Sequence, residues 1–170
     1  MIASHDGRSP LFLDVDGPLI PFRARPVGRR IATSDGIASA EASGSPLMDR
    51  LDPTDGRKLL ELGCELVWAT SWMADANEVV APRLGLPQLP VVDFPDDDTM
   101  PEHGLHWKTK FLTEWAGGRP FVWLDDEITD ADRRWVHGHH QEIALLHRVD
   151  PFAGLTDADF TLIRQWLGTR

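Results

Sequence analysis

The chain has 170 residues, 42% of them hydrophobic, and a formal charge of −10 at pH 7. That length supports one substantial core and is short for two ordinary domains of roughly 100 to 150 residues each, so a single domain over residues 1–170 is expected. The acidic balance disfavours a broad phosphate-backbone surface, which is usually basic and works by counterion release, although a nucleic acid end stays open as a substrate.

Leu11 to Val15 reads as the first buried strand, an apolar run rich in strand-forming residues. It is followed by an aperiodic insert over residues 18–53, punctuated by Pro21, Pro26, Gly28, Gly36, Gly44 and Pro46, which reads as a flap. The early part of this flap is basic (Arg23, Arg25, Arg29, Arg30), which suits contact with an anionic substrate; a solvated loop is the plainer alternative. Ala38 to Ser45 has the Ala, Ser and Gly composition of a disordered segment.

Beyond the flap, strands at Leu66 to Thr70, Leu89 to Phe94, Phe121 to Leu124 and Ile143 to His147 alternate with helical stretches. The helices fall at Thr54 to Leu62, Ala74 to Leu84, Trp107 to Trp115, Thr129 to Gly138 and Thr156 to Leu167, with Thr156 as N-cap of the last. This alternation predicts an α/β fold: a three-layer, Rossmann-like parallel sheet of about five strands with helices on both faces. Ligands in such sheets bind beyond the carboxyl ends of the strands.

Four segments bring reactive groups to that edge or beside it. Leu11-Phe12-Leu13-Asp14-Val15-Asp16-Gly17 ends an apolar strand in two carboxylates; like charges held that close suggest a bound cation, with a surface turn as the plainer alternative. Gly17 permits a sharp turn and a close backbone approach to a ligand. Val67-Trp68-Ala69-Thr70-Ser71 delivers two hydroxyls suited to phosphate oxygens, or an ordinary helix cap. His106-Trp107-Lys108-Thr109-Lys110 holds two of the chain's three lysines at a helix start. Phe121 to Glu127 again ends a strand in acids, Asp125, Asp126 and Glu127, with Asp130 one helical turn beyond Asp126; a hard dication takes such oxygen ligands.

Acids, hydroxyls, lysine and acids in that order resemble the haloacid dehalogenase (HAD) superfamily along nearly the whole chain. More narrowly, Trp68-Ala69-Thr70-Ser71-Trp72, Trp107-Lys108-Thr109, Gly118 to Glu127 and Gly154-Leu155-Thr156 resemble the small HAD domains grouped with multi-enzyme RNA-repair proteins. The resemblance implies a Mg²⁺-dependent phosphomonoesterase working through an aspartyl-phosphate, with nucleotides or nucleic acid ends as candidate substrates. It makes Asp14 the nucleophile, Asp16 the general acid and base, and Thr70 a phosphoryl ligand beside Ser71 and Gly17. Lys108 becomes the charge-stabilising lysine, with Lys110 its rival and Arg23 a further substrate contact. Mg²⁺ would be held by Asp14, Asp16 through its carbonyl, and one of Asp125 and Asp126, with Asp126 preferred.

Pro18 departs from that family pattern by removing a backbone N–H near the phosphate site, and the short insert leaves no large cap domain. A receiver-like phosphate-binding module is the competing reading, but its phosphorylated Asp would follow the third strand, where Asp93 sits in a Pro-rich loop. His137-Gly138-His139-His140 lacks zinc-site spacing and reads as a solvated loop. The tryptophans read as core, Trp72 excepted, since it follows the hydroxyl pair and could stack on a base. The lone Cys64 reads as core filling. No apolar run approaches the roughly 20 residues of a membrane span, and the first residues lack a signal-peptide h-region, so a cytoplasmic protein is expected.

Overall fold

In the sheet's first strand, β1 (Pro10–Leu13), every residue is buried, because an inner strand of a parallel sheet has protein on both faces and cannot alternate with polar residues. A computed structural model describes residues 7–23, 46–95 and 104–169. Among them β1 pairs with β2 (Glu65–Trp68) on one side and β3 (Phe121–Asp125) on the other, and β4 (Ala144–Arg148) pairs with β3. All pairings are parallel and the strand order is β2-β1-β3-β4.

Side chains leave each strand alternately for two separate cores. Leu11, Leu13, Leu66, Trp68, Val122 and Leu124 join one, with Leu59 of α1 (Pro53–Glu61), Leu84 of α2 (Ala81–Leu84), and Phe160 and Ile163 of α5 (Asp157–Gly168). Phe12, Val67, Phe121 and Trp123 join the other, with Leu112 of α3 (Thr109–Ala116) and Val136 of α4 (Asp130–His139). Helices thus cover both faces, which gives the expected three layers.

The expectation of about five strands needs correction. Among the described residues the sheet has four strands, and Leu89 to Phe94 contributes only an isolated bridge from Val91 to Trp68. Its two hydrogen bonds are Trp68 N–H to Pro90 O and Val92 N–H to Trp68 O, both 2.9 Å. Pro87, Pro90 and Pro95 lack amide hydrogens, so this stretch lies beside β2 without extending the ladder. The helix predicted over Ala74 to Leu84 is also altered: residues Ala76–Val80 form a π turn before α2. Pro82 cannot donate to the carbonyl four residues back, and the widened turn accommodates that loss.

Thr156 caps α5 as predicted, in a capping box with Asp159, and Thr129 forms the same box with Asp132 at the start of α4. The two ends of the flap are fixed: Leu155 N–H donates to Pro18 O, Phe22 N–H to Pro151 O, and Arg50 to the Pro21 and Phe22 carbonyls. Residues 24–45, including Arg25, Arg29, Arg30 and the Ala38 to Ser45 stretch, lie outside the described residues. No described helix is long and apolar enough to cross a membrane.

Asn77 holds the bridging segment in place. Its Oδ1 accepts from Trp68 Nε1 and from Leu89 N–H, both at 2.8 Å, and its Nδ2 donates to Leu89 O at 2.9 Å. Asn77→Leu would strand a buried indole N–H and both backbone groups of Leu89. We expect a loss of about 2 to 4 kcal/mol in urea unfolding; a loss under about 0.5 kcal/mol would refute this role.

Candidate active site

Asp14 is the first residue beyond β1, and its backbone N–H donates to Leu124 O of the neighbouring strand at 3.1 Å. Asp125 ends β3, so adjacent parallel strands present two carboxylates at one edge of the sheet. Both side chains are buried. The Lys108 ammonium, also buried, lies 3.2 Å from Asp14 Oδ1 and 2.8 Å from Asp125 Oδ2. Val15 N–H donates to Asp14 Oδ1 at 2.9 Å, and Glu127 N–H donates to Asp125 Oδ1 at 3.0 Å.

Asp126 follows on the turn and faces Gly17. Gly17 has φ 97°, and a Cβ placed on it would come within 2.7 Å of the Asp126 carboxyl carbon. Both conformation and space therefore require glycine there. Carboxylate oxygens of Asp14, Asp125 and Asp126 all lie within 4.8 Å of one another, close enough to share one cation.

The electrostatics point the same way. Burial above all, reinforced by Asp125 and opposed by Lys108, pushes the Asp14 carboxyl up to about 7. Burial and then Asp125 push Asp126 up to about 6. Burial works against the Lys108 ammonium, but Asp14 and Asp125 outweigh it and hold its pKa above the ordinary lysine value. One ammonium does not balance three carboxylates in this enclosure, and the donor set, all hard oxygen, fits a divalent cation such as Mg²⁺.

Asp16 is half-buried, and its Oδ2 accepts from the Trp72 indole N–H at 3.0 Å. Trp72, read from sequence as a possible base-stacking surface, holds the Asp16 side chain through its indole N–H. Thr70 is fully buried beyond β2, where Ala69 N–H bonds to Leu13 O at 2.9 Å and so sets this turn alongside Asp14. Its Oγ1 accepts from Trp72 N–H at 3.2 Å, and Ser71 is exposed on the same turn. The turn includes Met73 at φ 51°, a left-handed conformation costing a non-glycine residue about 1 to 2 kcal/mol.

Other sequence candidates lie elsewhere. Lys110 is exposed and lines a cleft with Thr113, Glu114, Trp135 and His139, so Lys108 is the lysine that meets the acids. Residues two apart on a helix face different ways, which is why one is buried and the other is not. Asp130 pairs with Arg133 at 2.8 Å on the surface. Arg23 is exposed, its guanidinium 5.5 Å over the Phe152 ring, on the loops beyond the same sheet edge. His137 and His139 belong to α4 rather than to a loop, and His140 is its C-cap; His139 stacks on Trp135 and His140 bonds Arg119 O.

Sequence reading missed Asp132. Its Oδ1 accepts from His106 N–H and from Thr109 Oγ1, and its Oδ2 from Thr129 N–H and Oγ1, tying the start of α3 to the start of α4. The Thr129-x-x-Asp132 spacing carries the capping signal, but nothing local discloses the link to His106.

The raised Asp14 pKa has a measurable consequence. Asp14 ionises near 3.8 in an unfolded chain and at about 7 here, so between those values the folded state holds a proton the unfolded state has lost. Its contribution is full below about pH 4 and is lost as pH rises to about 7. In metal-free urea unfolding, Asp14→Asn should therefore gain stability relative to the wild type across that range. A pH-independent difference would refute the assignment.

The family model that describes the HAD domain in Swiss Army Knife RNA repair proteins matches residues 10–160. No curated protein and no solved structure matches the chain. Because the family match runs from the first residue of β1 into α5, the chain belongs to the HAD domains of Swiss Army Knife RNA repair proteins, a phosphohydrolase scaffold.

Proposed function

We propose that the protein is a Mg²⁺-dependent phosphomonoesterase that works through an aspartyl-phosphate on Asp14. The observation that carries this reading is the buried Lys108 ammonium set between Asp14 and Asp125, with the Asp126 carboxyl beside them. Lysine and backbone contacts to Asp14 fall on Oδ1, which supports an ionised, oriented carboxylate once a dication offsets the effect of burial.

In the first step an Asp14 oxygen attacks phosphorus and the ester P–O bond breaks, while Asp16 protonates the departing oxygen. In the second, water attacks the phosphorus, Asp16 takes a proton from that water, and the bond to Asp14 breaks to release inorganic phosphate. The Trp72 indole N–H holds the Asp16 carboxyl group in place for both transfers. Thr70 and Lys108 bind the phosphoryl oxygens, and Ser71 stands on the turn that carries Thr70. Mg²⁺, held by Asp14, the Asp16 carbonyl and Asp126, would supply charge neutralisation of the phosphoryl group. Asp126 is preferred over Asp125 because the Asp125 oxygens already receive Lys108 and Glu127 N–H.

The leaving group we favour is a nucleotide or nucleic acid end. Phe22 and Phe152, each 52% exposed, meet edge to face at 5.8 Å with Arg23 over Phe152, on loops beyond the carboxyl edge of the sheet. An open aromatic face beside a guanidinium suits a base and its phosphate.

Release of phosphate from 4-nitrophenyl phosphate with Mg²⁺ tests the chemistry. Asp14→Asn should lower kcat by at least about 10³-fold, and unchanged activity would overturn the mechanism. Phe152→Ala should raise KM for a phosphorylated oligonucleotide by about 5- to 100-fold, the worth of one stacked base. KM for an alkyl phosphate should not change. Equal effects on both substrates would remove Phe152 from substrate recognition.

A further inference from the structure

We propose that His106 is a positioning residue that sets the Lys108 ammonium, acting through a neutral imidazole protonated on Nε2. The inference rests on the role given above to Lys108.

The ring is nearly enclosed, its side chain 5% exposed. It stacks on Trp107 at 5.7 Å and meets Trp123 edge to face at 5.4 Å. Its Nδ1 lies 3.2 Å from the backbone N of Lys108. A backbone N–H can only donate, so Nδ1 presents its lone pair and the ring proton belongs on Nε2. Nε2 in turn faces acceptors, Glu127 Oε2 at 3.2 Å and Asp125 Oδ1 at 4.0 Å. Both ring nitrogens are matched by this one tautomer.

The consequence falls on Lys108. α3 begins without a side-chain cap from Lys108 itself, so the imidazole supplies an acceptor for an amide at the helix start. The His106 backbone is held independently, its N–H donating to Asp132 at 2.7 Å and its carbonyl accepting from Thr109 N–H at 3.0 Å. The residue thereby links the turn after β3, through Glu127, to the backbone that launches the Lys108 side chain. A flexible four-carbon stem reaches two buried carboxylates only if its Cα is fixed.

His106→Asn and His106→Gln separate the two ring contacts. Asparagine Oδ1 falls where Nδ1 stands and can accept from Lys108 N–H; glutamine reaches toward Glu127 but gives up that acceptor. With Mg²⁺ and 4-nitrophenyl phosphate, His106→Ala and His106→Gln should lose about 10- to 100-fold in kcat. His106→Asn should recover most of that loss. Impairment of His106→Asn equal to His106→Ala, or wild-type rates in all three, would overturn the proposal.

Two spectra decide the matter without turnover and so separate it from the phosphatase reading. Nitrogen-15 spectra of the wild-type imidazole should show a protonated Nε2 and a bare Nδ1; the reverse pattern overturns the tautomer. The exchange-protected Lys108 ammonium resonance should persist in His106→Asn and be lost in His106→Gln and His106→Ala. Its retention in all variants overturns the positioning role even if the chain hydrolyses no aryl phosphate.

Discussion

The ammonium of Lys108 sits in the interior between carboxylates delivered by neighbouring strands, 3.2 Å from Asp14 and 2.8 Å from Asp125. Three charges taken out of water are costly, and only close pairing with hydrogen-bonded geometry offsets that cost. The surrounding structure provides that geometry. Backbone N–H groups of Val15 and Glu127 complete the two carboxylates, while the parallel pairing of β1 with β3 fixes the distance between them. A third acid, Asp126, leaves the group short of positive charge, a deficit that a divalent cation would fit.

Tight local constraints protect this arrangement. Gly17 combines a left-handed backbone with the room needed by the Asp126 carboxyl, so the turn after β1 and the turn after β3 fit together. Asp132 joins two helix starts through four hydrogen bonds. Burial works against its charge, but the donors from Thr109, Thr129 and His106 outweigh that effect and hold its carboxyl below the ordinary range. Trp72 does for Asp16 what Asp132 does for the start of α3, fixing a polar group by one directed bond from a neighbouring turn. The Asp16 and Asp132 side chains are each restrained by donors whose own positions are set by packing.

The chain's overall acidity and its local chemistry are compatible for the same reason. A formal charge of −10 repels an extended polyanion, but binding one phosphoryl group requires only a few compensating groups. Lys108 stands at the centre, and Arg23 beside Phe22 and Phe152 offers a single cation at the rim.

The alternation of strands and helices and the strand-end acids are legible locally, because buried apolar runs, caps and turn residues leave signals that need no partner. The strands read at Leu11 to Val15 and Phe121 to Leu124 and the Thr156 cap could each be seen without a partner. Leu89 to Phe94 misled because its composition is that of a strand, while ladder formation depends on amide hydrogens that its prolines lack and on a neighbour to bond. Choosing Lys108 over Lys110 required knowing which face of α3 turns inward. The bond from Trp72 to Asp16 and the His106 contact to Glu127 were decided by tertiary structure. Spatial neighbours select hydrogen-bond partners, and residues 56 or 21 positions apart leave no periodic trace of their meeting.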